Sequence, residues 1–290
     1  MSDSLANFSA LAALLRRHGF RFSKAMGQNF LVNPSVCPRM AAACGAGPED
    51  GVLEIGPGVG TLTRELAKTA GKVAAVELDG RLLPLLEETL AGLENVTVAR
   101  GDILALDLGA LLAEHFAGRR VFVCANLPYY ITSPVIMRLL ESKILFAGIT
   151  VMVQKEAAAR LCAAVGSRES GAVTVAVAYY AEARRLFEVS RGSFLPAPNV
   201  DSCVMQLTPR PAPPVAVPDE AAFFRMVRAA FGQRRKTLAN ALSAGLALPK
   251  EAVLAALARA GIPPEIRAEA MTMADWERAA GEMAARENGG

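Results

Sequence analysis

From Gly51 onward the chain sets short apolar runs against longer stretches in which apolar residues recur every three or four positions. Residues 52–55, 73–77, 96–100, 121–125 and 149–154 are rich in Val, Ile, Leu and Ala, as expected of strands covered on both faces. Residues 61–69 and 81–90 between them carry the helical period. Strand and helix in alternation predict a parallel α/β sheet. A helix-like QKEAAARLCAA (154–164), a polar Gly/Ser loop (166–171) and a second apolar helix ending at Tyr180 follow. Residues 185–189 and 202–208 add two strand candidates, separated by the loop 191–201 and close enough to pair antiparallel at one sheet edge. The count is a sheet of about seven strands.

The run PRPAPP (209–214) reads as a stiff linker, because proline disfavours both helix and ladder pairing. It divides residues 1–210 from residues 211–290. Beyond it, 219–242, 249–260 and 273–286 predict helices, with Asp219 as an N-cap and Gly261 as a stop, so the tail is a small helical domain.

At 290 residues and 52% hydrophobic, the chain can fill two cores. A net charge of +3 confines any nucleic-acid surface to a local patch. Cys37, Cys44, Cys124, Cys162 and Cys203 form no CxxC pair and the histidines are only His18 and His115, so we expect reduced thiols and no metal. The apolar stretch 11–15 precedes Arg16, Arg17 and His18, the reverse of a secretory signal, and no apolar run reaches membrane-spanning length. The expectation is a soluble cytoplasmic protein without a membrane partner. With no dimerisation heptad, it is expected to be a monomer.

Candidate chemistry gathers at the predicted strand ends. LEIGPGVG (53–60) puts three glycines between a strand and a helix, where a backbone without Cβ atoms admits a ligand; a plain tight turn is the competing reading. Thr61 stands where the dinucleotide GxGxxG pattern needs its last glycine, which weakens a nicotinamide reading. Glu77 ends the next strand about 20 residues on, placed to take both ribose hydroxyls. Gly101-Asp102-Ile103 follows the third strand and suits a contact to an adenine amino group, or equally a helix cap at Asp102. After the fourth comes Asn126-Leu127-Pro128-Tyr129. The Asn126 side-chain oxygen and a carbonyl of Leu127 or Pro128 could accept both N–H bonds of a ring amine while Tyr129 stacks on the base; an ordinary turn is the alternative.

These residues, with KAMGQNFLVN (24–33), VELD (76–79), NLPYYITSP (126–134), VQKEAAARL (153–161) and SFLPAPNVDS (193–202) in this order, resemble the ribosomal RNA adenine dimethyltransferases over nearly the whole chain. The likeness is to the bacterial branch that dimethylates two adjacent adenines near the 3′ end of 16S rRNA during small-subunit biogenesis. It implies a Rossmann-like seven-stranded methyltransferase domain with a small C-terminal helical domain. It also implies S-adenosylmethionine held by Gln28, Asn29, Leu31, Gly56, Gly58, Glu77, Asp102, Ile103 and Asn126. Asn126, Leu127, Pro128 and Tyr129 would receive the adenine, and Phe194 would supply a second aromatic wall; sequence physics alone reads Phe194 as a core plug. Met26, Asn33, Ser170, Gly192, Ala197 and Asn199 depart from the usual pattern, touching loop rigidity and one RNA contact rather than the chemistry.

The target base must leave its stack, which is cheapest in loop RNA. Arg225, Arg228, Arg234, Arg235 and Lys236 form an acid-free cluster on one predicted helical stretch, and Arg16, Arg17, Arg21 and Lys24 another; each reads as a phosphate-binding patch or a solvated helix face. Phe223, Val227, Ala230 and Phe231 read as tail core. The competing functions are a large-subunit rRNA adenine methyltransferase, an assembly factor whose binding outweighs catalysis, and a relative of mitochondrial transcription factors.

Overall fold

The computed structural model describes residues 5, 7–23, 26–233 and 235–287. It divides into two compact units, residues 1–158 with 182–209, and residues 159–181 with 210–290.

The first unit opens with helix α1 (Phe8–Arg17), whose first turn is capped by the Asn7 side chain accepting from the Ser9 amide at 2.8 Å. Strand β1 (Phe30–Leu31) and helix α2 (Val36–Cys44) lead into the sheet. Its first half alternates β2 (Gly51–Ile55), α3 (Thr61–Ala67), β3 (Lys72–Glu77), α4 (Leu83–Thr89) and β4 (Val96–Arg100). Helix α5 (Leu108–Phe116), β5 (Val121–Asn126), α6 (Thr132–Glu141), β6 (Gly148–Gln154) and α7 (Lys155–Leu161) continue the rhythm. After α8 (Ala172–Tyr180), β7 (Ala181–Val189), β8 (Phe194–Leu195) and β9 (Ser202–Pro209) complete the strands.

The seven-stranded sheet has the order β4-β3-β2-β5-β6-β9-β7. The first five strands are parallel, and β9 runs antiparallel to β6, with β7 beyond it at the edge. This is the expected Rossmann-like architecture. Every residue of β2 is buried, because helices cover both faces and leave no polar side for the strand to show. Leu11, Leu14 and Leu15 of α1 pack with Leu82, Leu85 and Leu86 in one core. Met40, Val52, Leu66, Phe122 and Val204 share another.

The pair β1 and β8 forms a separate two-stranded sheet, with Leu31 opposite Phe194. Two residues per strand are too few for any alternation to betray them in sequence. Helices α2, α5 and α6 also went unread.

In the second unit, α9 (Glu220–Phe231), α10 (Leu238–Leu246), α11 (Lys250–Arg259) and α12 (Met273–Glu287) form the helical tail. Asp219 caps α9 as expected, accepting from the Ala222 amide at 2.9 Å, and Gly261 follows α11 at φ +67°. The single helix expected over 219–242 is instead two, broken between Phe231 and Leu238, with Thr237 capping the second. The close approach of Gly245 to Ala229 packs α10 on α9; a Cβ at 245 would lie 2.6 Å from that of Ala229.

The chain passes into the tail unit at 209/210, within a residue of the expected boundary, but residues 159–181, expected in the first domain, group with the tail. Helix α8 is apolar nearly all round and buries its end among aromatics. Tyr179 lies 5.5 Å from Phe223 and 5.3 Å from Phe224, while Tyr180 stacks on Phe224 at 5.4 Å and donates a 2.7 Å hydrogen bond to Glu220. A linker composition marks where the chain crosses; it is silent on an earlier segment that packs with the same unit.

Candidate active site

Because β2, β3, β4 and β5 are parallel and in register, their carboxyl ends open on one edge of the sheet. A cavity there is lined by the segments following those strands, by residues 26–31 and by Phe194. Every residue expected to hold cofactor or base lines it.

After β2, Gly56, Gly58 and Gly60 take φ of +70°, +61° and +84°, a region open to glycine at little cost. A Cβ at Gly56 would meet nothing within 4 Å, so the backbone itself faces open space. The Gly58 amide donates to Glu77 Oε2 at 3.2 Å and the Asp79 amide to Oε1 at 2.8 Å. Glu77 is 6% exposed; burial raises its pKa, opposed by these amide bonds. Each carboxylate oxygen keeps a second lone pair for a ligand hydroxyl.

Asp102 caps its turn and also reaches the cavity. Its Oδ1 accepts from the Leu104 amide at 2.9 Å, capping the turn, and the exposed carboxylate still borders the cavity. Ile103 beside it is buried.

Asn126 ends β5, half-buried, and donates from Nδ2 to the Asn29 carbonyl at 3.4 Å. This leaves the amide oxygen available to accept a hydrogen bond. The Pro128 carbonyl accepts from the Ile131 amide at 3.1 Å. Leu127 is buried and its own amide donates to Met152 at 3.2 Å, fixing the chain where it leaves the strand. The Tyr129 hydroxyl shares a 2.7 Å hydrogen bond with Ser202 at the start of β9, pinning the ring; burial pushes its pKa up. Phe194 is both things weighed for it, buried in the core with Val189 and Val204 and lining the cavity.

Glu54, Thr61, Leu78, Asp79 and Tyr130 also line the cavity and were not singled out from sequence. For Glu54 the signal was a carboxylate inside an otherwise apolar strand. It is 1% exposed, and burial first, then the charge of Glu77, pushes its pKa to about 8. Glu54 Oε2 and Thr61 Oγ1 find no hydrogen-bond partner among the described residues.

The family described as ribosomal RNA adenine dimethylase matches residues 19–285. The chain belongs to this family. A relative from Geobacillus thermodenitrificans named ribosomal RNA small subunit methyltransferase A is 46% identical over 280 residues, covering 95% of this chain and 96% of its own. One of the same name from Shouchella clausii is 44% identical over 281 residues, covering 96% and 95%. Among solved structures, a dimethyladenosine transferase from Plasmodium falciparum superposes with a TM-score of 0.73 at 26% identity, covering 89% of this chain and 98% of its own. The 23S rRNA methyltransferase ErmE gives 0.64 at 29%, covering 88% and 100%. The protein is thus a member of an rRNA-methylating enzyme family.

The basic clusters fare less uniformly. Arg225 and Arg228 are exposed one turn apart on α9, but Arg235 and Lys236 lie in the break before α10, so they do not share one helix. The break also corrects the continuous stretch expected there; Arg234 and Lys24 lie outside the described residues. Arg17 pairs with Glu88, which also takes His18 at 2.7 Å. Phe223, Val227 and Ala230 are buried, and Phe231 lies 5.9 Å from Trp276, as tail core. Ser170, one of the departures from the usual family pattern, is buried. Among the described residues no group of three or more His, Cys, Asp and Glu could hold a metal, and no helix is long and apolar enough to cross a membrane.

Proposed function

We propose that this protein dimethylates the N6 amino groups of two adjacent adenines in the 3′-terminal loop of 16S rRNA, using S-adenosylmethionine, as a cytoplasmic step of small-subunit biogenesis. The observation that carries the reading is Asn126-Leu127-Pro128-Tyr129, held at the end of β5 beside the glycine loop and Glu77 in one cavity. The residues suit the cofactor. Open space at Gly56, the fixed carboxylate of Glu77 and the unpartnered oxygens of Glu54 and Thr61 give room and polar capacity for a nucleoside and an amino acid. When bound, the group supplies an electrophilic methyl on a sulfonium.

The adenine amine is a poor nucleophile because its lone pair is delocalised into the ring. Asn126 Oδ1 and the Leu127 carbonyl accept its two N–H bonds and so turn the lone pair out of the ring toward the methyl. Tyr129, pinned by Ser202, and Phe194 hold the base plane. Positioning of this kind lowers a barrier by several kcal/mol, up to about 7–11 in favourable cases. As N6 becomes cationic, the two acceptors stabilise the developing charge and no general base is needed. The second transfer proceeds with one of the two acceptors idle, since a monomethylated amine has a single N–H left.

The exposed Arg225, Arg228, Arg235 and Lys236 serve as phosphate contacts in this reading. Identity of 44–46% to relatives named for the small subunit, against 29% to ErmE, favours the small-subunit target. Labelled S-adenosylmethionine with small subunits lacking the modification tests it. We expect dimethyladenine at two neighbouring 3′-end loop positions by mass spectrometry of the digested rRNA. Label only in large-subunit RNA overturns the target, and absence of transfer to either overturns the base-pocket reading.

A further inference from the structure

We propose that Asp79 is a positioning residue for the cofactor site. With Arg81 it clasps Gln28 to the carboxyl end of β3, setting residues 20–23 and 26–31 over the same strand end that carries Glu77. The inference rests on the cofactor reading above and adds a residue pair to it.

Asp79 lies two residues after Glu77 and is joined to it directly, its amide donating to Glu77 Oε1 at 2.8 Å. Its carboxylate is 6% exposed and lines the cavity. Oδ1 accepts from the Arg81 amide at 3.1 Å and from Arg81 Nε at 2.9 Å. Oδ2 accepts from Arg81 Nη2 at 2.6 Å and from Gln28 Nε2 at 2.8 Å. The other end of the Gln28 amide is occupied as well, Oε1 accepting from the Ser23 amide at 2.9 Å. Gln28 is thus held at both ends within the protein while each end keeps one further hydrogen-bonding position toward the cavity, so it acts through Asp79 on the placement of its segment beside any contact of its own. Charge-assisted bonds such as Gln28 to Asp79 are stronger than neutral ones, and the arginine keeps Asp79 ionised, well below the usual carboxylate range.

Arg81 fastens the same segment a second time. Its Nη1 reaches the Arg21 carbonyl at 3.5 Å and its guanidinium lies 5.3 Å from the centre of the Phe20 ring. Phe20 and Phe22 each pack on Phe30, at 5.9 and 5.6 Å, carrying the attachment to β1. Asn29 and Leu31, next along, line the cavity, and the Asn29 carbonyl holds Asn126. The clasp therefore connects the ribose-side carboxylate, the covering segment and the base-side amide.

The test is a double-mutant cycle in affinity for S-adenosylhomocysteine, measured by calorimetry on the full chain with Gln28→Ala, Asp79→Asn and the pair. Each single change is expected to weaken binding about tenfold, the scale of one hydrogen bond to a charged group. The pair should weaken it by little more than Asp79→Asn alone, since both changes break the same bond. Hydrogen exchange of residues 20–31 in the ligand-free protein should quicken in both single variants while the melting temperature stays near that of the wild type. Arg81→Lys, which keeps the charge but loses the fork, should fall between wild type and Asp79→Asn and serves if the latter folds poorly. Additive losses of about a hundredfold, or unchanged exchange over 20–31, overturn the clasp. Failure of the wild type itself to bind S-adenosylhomocysteine overturns the cofactor reading instead, and the exchange measurement then still decides the clasp.

Discussion

The sheet edge and the helical tail handle their polar groups in opposite ways. At the sheet edge each chemical side chain is tied to backbone or to another buried group: Glu77 to the Gly58 and Asp79 amides, Asn126 to Asn29, Tyr129 to Ser202. In the tail the groups assigned to RNA stand on the exposed side of α9 or in the break after it, while the buried side is aromatic and aliphatic. A site that must place one amine against one methyl needs fixed acceptors. A surface that meets phosphates needs charge at an approximate spacing.

The sharpest way to break the contrast is to hollow the tail. Phe223 is 1% exposed, between Tyr179 and Phe224, so Phe223→Ala should destabilise the tail by about 3–5 kcal/mol. Trp276, the only tryptophan and fully buried in the same unit, reports this by fluorescence in urea titration. A loss under about 1 kcal/mol would mean that the aromatic cluster is not what holds residues 159–181 to the tail.

At the sheet edge the largest change is chemical rather than structural. On the proposed mechanism Asn126→Ala removes one of the two amine acceptors, and it should lower the single-turnover methyl-transfer rate about 100- to 1000-fold. Unfolding midpoints should stay near wild type, because Asn126 is only half-buried and makes one long bond. Retained binding to small subunits in this variant would also separate catalysis from an assembly role.

How much could be read in advance follows the same division. Four of the five parallel strands announced themselves because burial on both faces leaves continuous apolar runs, whereas the edge strand β4 is only partly buried; the strand-end residues Gly56, Glu77, Asp102 and Asn126 are found by counting from them. The two-residue strands β1 and β8 carry no period, and Phe194 could not be resolved between core and cavity because it is part of both. The break in α9–α10 went unread because Gly232-Gln-Arg-Arg-Lys236 contains no proline and only one glycine, at the end of a strongly helical run. The placement of α8 depends on which aromatic surface it meets, and a linker composition does not encode that.

Glu54 sharpens the comparison from the side of pH. Burial raises its pKa from an ordinary value of 4.5 to about 8, so the folded chain holds a proton there that the unfolded chain releases. Its contribution to stability is therefore complete below about pH 4.5 and lost as pH climbs to about 8. Glu77 is shifted in the same direction, also by burial, and adds to the slope. Glu54→Gln should remove most of it: of a wild-type loss of about 3–4 kcal/mol between pH 5 and 8, the larger share should disappear. Parallel stability curves for the two proteins would show that Glu54 is not the group that holds this proton.

The smallest expected effect belongs to the tail surface. Arg225 and Arg228 are exposed, and the Arg225 charge helps to keep the α9 cap Asp219 ionised. Replacing both with alanine should therefore leave the fold intact and weaken RNA binding by about 1–2 kcal/mol in all. The diagnostic is the salt dependence. If both arginines contact phosphates, the slope of log affinity against log salt should become shallower by about 1.4–1.8, two contacts' worth, with no change in which RNA is preferred. A drop in affinity with an unchanged slope would place the arginines in base or protein recognition, and no drop at all would return this face of α9 to plain solvation. The contrast with Asn126 would then become quantitative: on the proposed reading one fixed amide at the sheet edge should outweigh two exposed charges on the tail, because the amide would act on the transition state and the charges on encounter and retention.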